Sequence, residues 1–177
     1  MAELRAARVD DAEEIANVIV SAWRDTYRGL MPDELLDKLS VEERAARWKK
    51  RLADQNDPYH RVIVAESNGS VVGFASYGNN LEDDPLYQGE IYALYILNEF
   101  RKQGLGRRLV SRAASALMEL NIASLIIWVL SENPYRKFYE RIGGKYLYEK
   151  PGLVGGVLLN KVAYGWEDLG SLANKDE

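Results

Sequence analysis

The chain contains no cysteine, so disulfides, thiolate metal sites and a cysteine nucleophile are all excluded. One histidine, His60, stands alone among 177 residues. A multi-histidine metal site is therefore impossible, a Ser-His-Asp triad is disfavoured, and no metal is expected. No apolar run approaches the roughly 20 residues that span a bilayer. The opening Met1-Ala2-Glu3-Leu4-Arg5 lacks signal-peptide character, so a cytoplasmic protein without membrane contact is expected. Excess basic charge is also missing. A net charge of −4 argues against nucleic acid as a partner. Two nucleotide and nucleophile signatures, G-x-x-x-x-G-K-[ST] and G-x-S-x-G, do not occur.

What is present centres on residues 90–120. Glu90-Ile91-Tyr92-Ala93-Leu94-Tyr95-Ile96-Leu97 reads as a strand, Arg101-Lys102-Gln103-Gly104-Leu105-Gly106 as a basic turn, and the rest as a helix. Leu105, Leu109, Ala113, Ala116, Leu117 and Leu120 recur in steps of three and four, which gathers them on one helical face. The first N–H groups of a helix lack intrahelical partners, and the helix dipole adds positive potential there. Glycine lets an anion approach without a Cβ in the way. With Arg101, Lys102, Arg107 and Arg108 around it, this turn reads as a pyrophosphate cradle. A dinucleotide fingerprint is half met by Gly104 and Gly106, with Leu109 in the place of the third small residue and Glu132 as the ribose-binding acid.

Along the chain, residues 4–9 open with a strand, and Asp10 or Asp11 is placed to cap a helix bearing Ile15, Val18, Ile19, Ala22 and Trp23 on one face. A helical region over 33–52 is expected to break near Ser40. Residues 61–66 and 70–77 flank Ser67-Asn68-Gly69, a hairpin signal. Leu125-Ile126-Ile127-Trp128-Val129-Leu130 is apolar enough for a strand buried on both faces. A short helix over 134–142 stops at Gly143-Gly144, two strands close the fold at 145–149 and 157–166, and residues 167–177 form a polar, frayed tail. Residues 1–166 are thus expected as one domain. The order β-α-α-β-β-β-α-β-α-β-β predicts an α/β (α+β) fold. Its central sheet is mixed and mostly antiparallel, of about seven strands, with helices on both faces and one parallel βαβ unit.

Two segments then point to a family. R/Q-x-x-G-x-G/A after an aromatic-rich strand, here Arg101 to Gly106, resembles motif A of the Gcn5-related N-acetyltransferase (GNAT) superfamily. The run from Trp128 through Asn133 and Phe138-Tyr139 to Gly143-Gly144 resembles its motif B, with one residue fewer between Asn and Tyr than many members have. The resemblance spans residues 4–166 and implies the acyl-CoA N-acyltransferase fold, with acetyl-CoA as acetyl donor. It implies that Arg101, Lys102, Gln103, Gly104, Leu105, Gly106 and Arg107 bind the pyrophosphate. The backbone of Leu94, Tyr95 and Ile96 would pair with the pantetheine arm, and Asn133 and Arg136 would complete the cofactor set.

Chemistry narrows the roles. An amine of pKa about 10.4 must lose a proton before it attacks, and a departing thiolate must gain one. Tyr139 is the expected acid, against the plainer reading of a half-buried helix aromatic. Glu90 is the expected base, 104 − 90 = 14 residues before Gly104 as in the histone-acetylating branch, against a surface carboxylate or a base supplied by water alone. Trp23, Tyr27 and Arg28 are candidates for the acceptor wall, and the acidic Glu82-Asp83-Asp84 for attracting a cationic acceptor. The acceptor is then a primary amine of a small molecule or peptide, reached through a ternary complex. A homodimer joined through the strand 157–166 is possible on its apolar-aromatic character. The competing readings are a dinucleotide-binding oxidoreductase and a non-catalytic acyl-CoA-binding module.

Overall fold

The computed structural model describes residues 2–54, 56–57 and 59–173. Seven strands form one sheet in the order β1-β2-β3-β4-β5-β7-β6. They are β1 (Glu3–Ala6), β2 (Arg61–Ser67), β3 (Ser70–Asn79), β4 (Gly89–Ile96), β5 (Leu125–Leu130), β6 (Lys145–Val154) and β7 (Val157–Trp166). Every neighbouring pair is antiparallel except β4 and β5, which run parallel. The helices are α1 (Ala12–Tyr27), α2 (Asp33–Asp37), α3 (Val41–Ala53), α4 (Leu105–Glu119), α5 (Lys137–Arg141) and α6 (Gly170–Ala173). None of the described helices is long and apolar enough to cross a membrane.

Local chemistry accounts for most boundaries. Asn68 and Gly69 both take positive φ, as a two-residue hairpin turn requires. The Ser40 hydroxyl accepts the Glu43 N–H at 3.2 Å and starts α3 where the helical region was expected to break. Asp11 does not cap α1. It accepts the Arg8 N–H at 2.6 Å and both guanidinium nitrogens of Arg5 at 2.8 Å, tying the 3₁₀ turn before α1 to the first strand.

Two cores lie on opposite faces of the sheet, as the alternation of β2 shows. Ile63 and Ala65 join α4 through Leu105, Leu109, Ala113 and Leu117. Val62 and Val64 join α1 and α3 through Ile15, Val18, Ile19 and Trp48. Fully burying a leucine such as Leu109 contributes about 1.5–3 kcal/mol, which commits α4 to its face.

Three expectations are corrected. The segment after Trp166 is not a frayed polar tail over its described length. Leu169 and Leu172 are buried, α6 rests against α4, and the Leu169 N–H bonds the Ala123 carbonyl; residues 174–177 lie outside the described residues. Along residues 161–166 of β7 both edges are taken, by β5 and β6, so a second copy has no edge to extend there. Strand β6 runs to Val154 rather than 149, since pairing with β7 recruits residues 150–154. Pro151 is tolerated there because β6 is an edge strand.

Candidate active site

The parallel pair is closed at one end and open at the other. Gly89, Glu90 and Ile91 pair with Leu125, Ile126 and Ile127, and the pairing ends there. On the other side of β4, Ala93 faces Ser76 while Ile91 faces Tyr77, so Tyr92 is the extra residue of a bulge. A bulge bends and over-twists its strand. Pairing with β5 is lost at this residue, and β4 diverges from β5 beyond it.

The divergence opens a cavity of about 530 Å³. Its walls come from β4, β5, the start of α4, α5 and the C-terminal end of α1. The Leu97 N–H bonds the Val72 carbonyl at 2.9 Å, which sets the phase of β4. Strand alternation then turns the main chain of Ala93 and Tyr95 toward β3, and that of Leu94 and Ile96 toward the gap. Of the three residues expected to pair with an extended arm, Leu94 and Ile96 offer backbone. Tyr95 offers its ring instead, tilted against Phe74 at 5.9 Å.

At the far end the turn before α4 places Lys102 and Gly104 at φ of 59° and 80°. A Cβ on Gly104 would meet nothing within 4 Å, so this glycine serves the left-handed turn and leaves the approach clear. A Cβ on Gly106 would lie 3.2 Å from the Phe138 ring, so that glycine lets α5 close on α4. The first intrahelical bond reaches Gly104 only from Arg108, which leaves the earlier N–H groups of α4 free for an anion. Lys102 and Arg107 line the cavity. Arg101 lines it too, but its Nε donates to the Ile96 carbonyl at 2.9 Å and its guanidinium lies over the Tyr135 ring. It braces the turn against β4.

Glu90 lines the closed end and is buried. Burial raises its carboxyl above the ordinary carboxylate range, and neighbouring Glu82 adds to this. The Leu81 N–H, donating to Oε2 at 3.0 Å, works the other way, as do Lys161 and Lys150. Tyr139 also lines the cavity, with its ring stacked on Tyr164 at 5.8 Å. Its phenol is pushed up first by burial and then by Tyr95 and Tyr164. Asn133 accepts the Tyr135 N–H on Oδ1 at 2.8 Å, which turns the chain from β5 into α5, and its side chain also faces the Tyr27 hydroxyl. Tyr27 is buried at the wall, its hydroxyl raised mainly by burial.

Five expected site residues are not brought to the cavity. Gln103 Nε2 donates to the Glu99 carbonyl at 2.7 Å, and Leu105 is buried in the α4 core. Arg136 does not line the cavity. Trp23 lies behind Tyr27 with its ring edge-on at 5.3 Å, and Arg28 is exposed in ion pairs with Asp33 and Asp37. Glu132, the ribose-binding acid of the oxidoreductase reading, is exposed and outside the lining. Several lining residues were given no site role from the sequence, among them Leu81, Tyr92, Trp128, Phe138 and Lys161. A lysine inside the apolar-aromatic stretch 157–166 was the one visible signal among these.

A mixed sheet that parts along its parallel pair, with a basic helix start at the open end, is the acyl-CoA N-acyltransferase architecture. The chain belongs to the acetyltransferase (GNAT) family, which residues 19–144 match. It is 36% identical over 173 residues to the uncharacterized N-acetyltransferase YuaI of Bacillus subtilis, covering 97% of this chain and 96% of that one. It is 32% identical over 140 residues to an uncharacterized N-acetyltransferase of Archaeoglobus fulgidus, covering 77% and 88% of the two chains. In fold it is similar to the PaiA N-acetyltransferase of Thermoplasma acidophilum, solved with coenzyme A, at a TM-score of 0.74 and 18% identity over 93% of this chain and 98% of that one. YncA of Salmonella typhimurium, solved with acetyl-CoA as its cofactor, is similar in fold at a TM-score of 0.69 and 22% identity over 96% of this chain and 94% of that one.

Proposed function

We propose that this protein transfers the acetyl group of acetyl-CoA directly to a primary amine of a small molecule or peptide, with both substrates bound together. The observation that carries the reading is the gap between β4 and β5, with the main chain of Leu94 and the Ile96 N–H facing it on one side and the Gly104 turn at its open end. The fit is chemical as well as spatial. An amide-bearing arm satisfies an open strand edge, and a pyrophosphate suits exposed helix N–H groups beside Lys102 and Arg107. The solved relatives of the same fold were obtained with coenzyme A and acetyl-CoA.

Bound acetyl-CoA supplies the thioester acyl carbon. At the closed end Glu90, directly or through water, takes the proton that the attacking amine must lose, and its raised pKa makes it a stronger base than an ordinary carboxylate. The C–N bond forms as the C–S bond breaks. Tyr139, held protonated by burial, gives its proton to the leaving thiolate and regains one from solvent. A main-chain N–H of β4 polarises the carbonyl as oxyanion donors do. Isothermal titration with acetyl-CoA and an amine-dependent thiol-release assay test this. Sub-millimolar binding with amine-dependent release is expected, and no binding at that concentration defeats the proposal.

A further inference from the structure

We propose that the acceptor amine carries a carboxylate, and that the Lys161 ammonium holds it beside Trp128. This rests on the acetyl-transfer reading and concerns the acceptor end of the same cavity.

Lys161 on β7 stands directly across from Lys150 on β6. Like charges facing each other in a ladder are destabilising, so the pair needs compensation. Lys150 has it, through its ion pair with Glu82. Lys161 has no ion pair with any described residue, yet it lines the cavity. Both ammonium groups lie over the Trp128 ring, Lys150 at 4.3 Å and Lys161 at 5.4 Å. The Lys161 stem is given its path by Gly152, where a Cβ would come within 2.4 Å of Lys161 Cε.

Beside the Glu82–Lys150 pair, this end holds one buried carboxylate, Glu90, and one ammonium, Lys161, that has no ion-pair partner among the described residues yet lies close enough to act on Glu90. A diamine would bring its second ammonium against Lys161. An amino acid presents its amine to Glu90 and its carboxylate to Lys161. The acidic loop that could have drawn a polyamine is largely committed elsewhere. Glu82 is bound to Lys150, and Asp84 Oδ1 accepts the Leu86 and Tyr87 N–H groups at 2.8 and 3.1 Å.

The test measures thiol release by the wild type and by Lys161→Met with the common L-amino acids, the corresponding L-amino acid amides, putrescine and spermidine. A charge-assisted contact predicts that wild-type kcat/KM favours the best acid over its amide by about 10-fold or more. In Lys161→Met that ratio should fall toward one through a higher KM for the acid, with acetyl-CoA affinity by calorimetry kept as the sign of an intact fold. Amides or diamines used as well as the acids overturn the proposal, as does no turnover of any acid, or an equal loss for acid and amide in the variant. If the variant does not fold, the wild-type acid-to-amide ratio decides alone. Loss of acetyl-CoA binding in the wild type is a different failure: it removes the transfer reading, and this inference with it.

Discussion

Glu90 is a carboxylate held where water would stabilise it better. Its folded pKa is raised, so its contribution to stability is complete below the ordinary carboxylate range and lost as pH rises through the raised value. Glu90→Gln keeps an acceptor for the Leu81 N–H and removes the buried charge. The variant should melt at a higher temperature than the wild type at pH 7 while its kcat/KM falls about 100-fold. Parallel thermal melts and turnover assays check both, and a lower Tm would show that the carboxylate is structural. In the wild type, kcat/KM should decline as pH drops through the raised pKa, above the ordinary glutamate range. Tyr139→Phe should lower kcat about 100-fold or more, with the acetyl-CoA Kd changed less than about twofold. An unchanged kcat would leave Tyr139 as packing for Tyr164. Both residues were legible as types at motif spacings. Their surroundings, which make the chemistry possible, come from other segments, such as the Leu81 N–H and Lys161 around Glu90 and the Tyr164 ring against Tyr139.

At the scale of elements, the start of α4 depends on a left-handed residue. Gly104→Ala has space for its methyl group but not the backbone, so it should cost about 1–2 kcal/mol in urea unfolding and weaken acetyl-CoA binding by calorimetry. Strands β5 and β7 and the 68–69 hairpin turn were readable because apolar runs and turn residues are local signals. The extension of β6 past Pro151 was not, because it depends on β7 supplying partners. The Tyr92 bulge was equally hidden. Nothing in Glu90-Ile91-Tyr92-Ala93 marks an extra residue, and the bulge exists only relative to β3.

Over the whole molecule, two cores clamp the sheet, and the C-terminal segment closes one of them through Leu169 and Leu172. Leu172→Ala should destabilise the protein by about 2–4 kcal/mol in urea unfolding, whereas a frayed tail would leave the midpoint unmoved. A polar composition after Trp166 concealed this, because two leucines carry little periodicity and their burial needs the far side of α4. The sequence by itself determined the succession of the seven strands, the basic glycine turn and the two residues proposed as base and acid, since each is written in residue type over short spacings. Only the tertiary structure decided where β4 and β5 part, which cations stay unpaired and which of the proposed residues meet in one cavity. Those outcomes depend on pairing register and on charge compensation between segments up to 68 residues apart, as in Lys150 and Glu82.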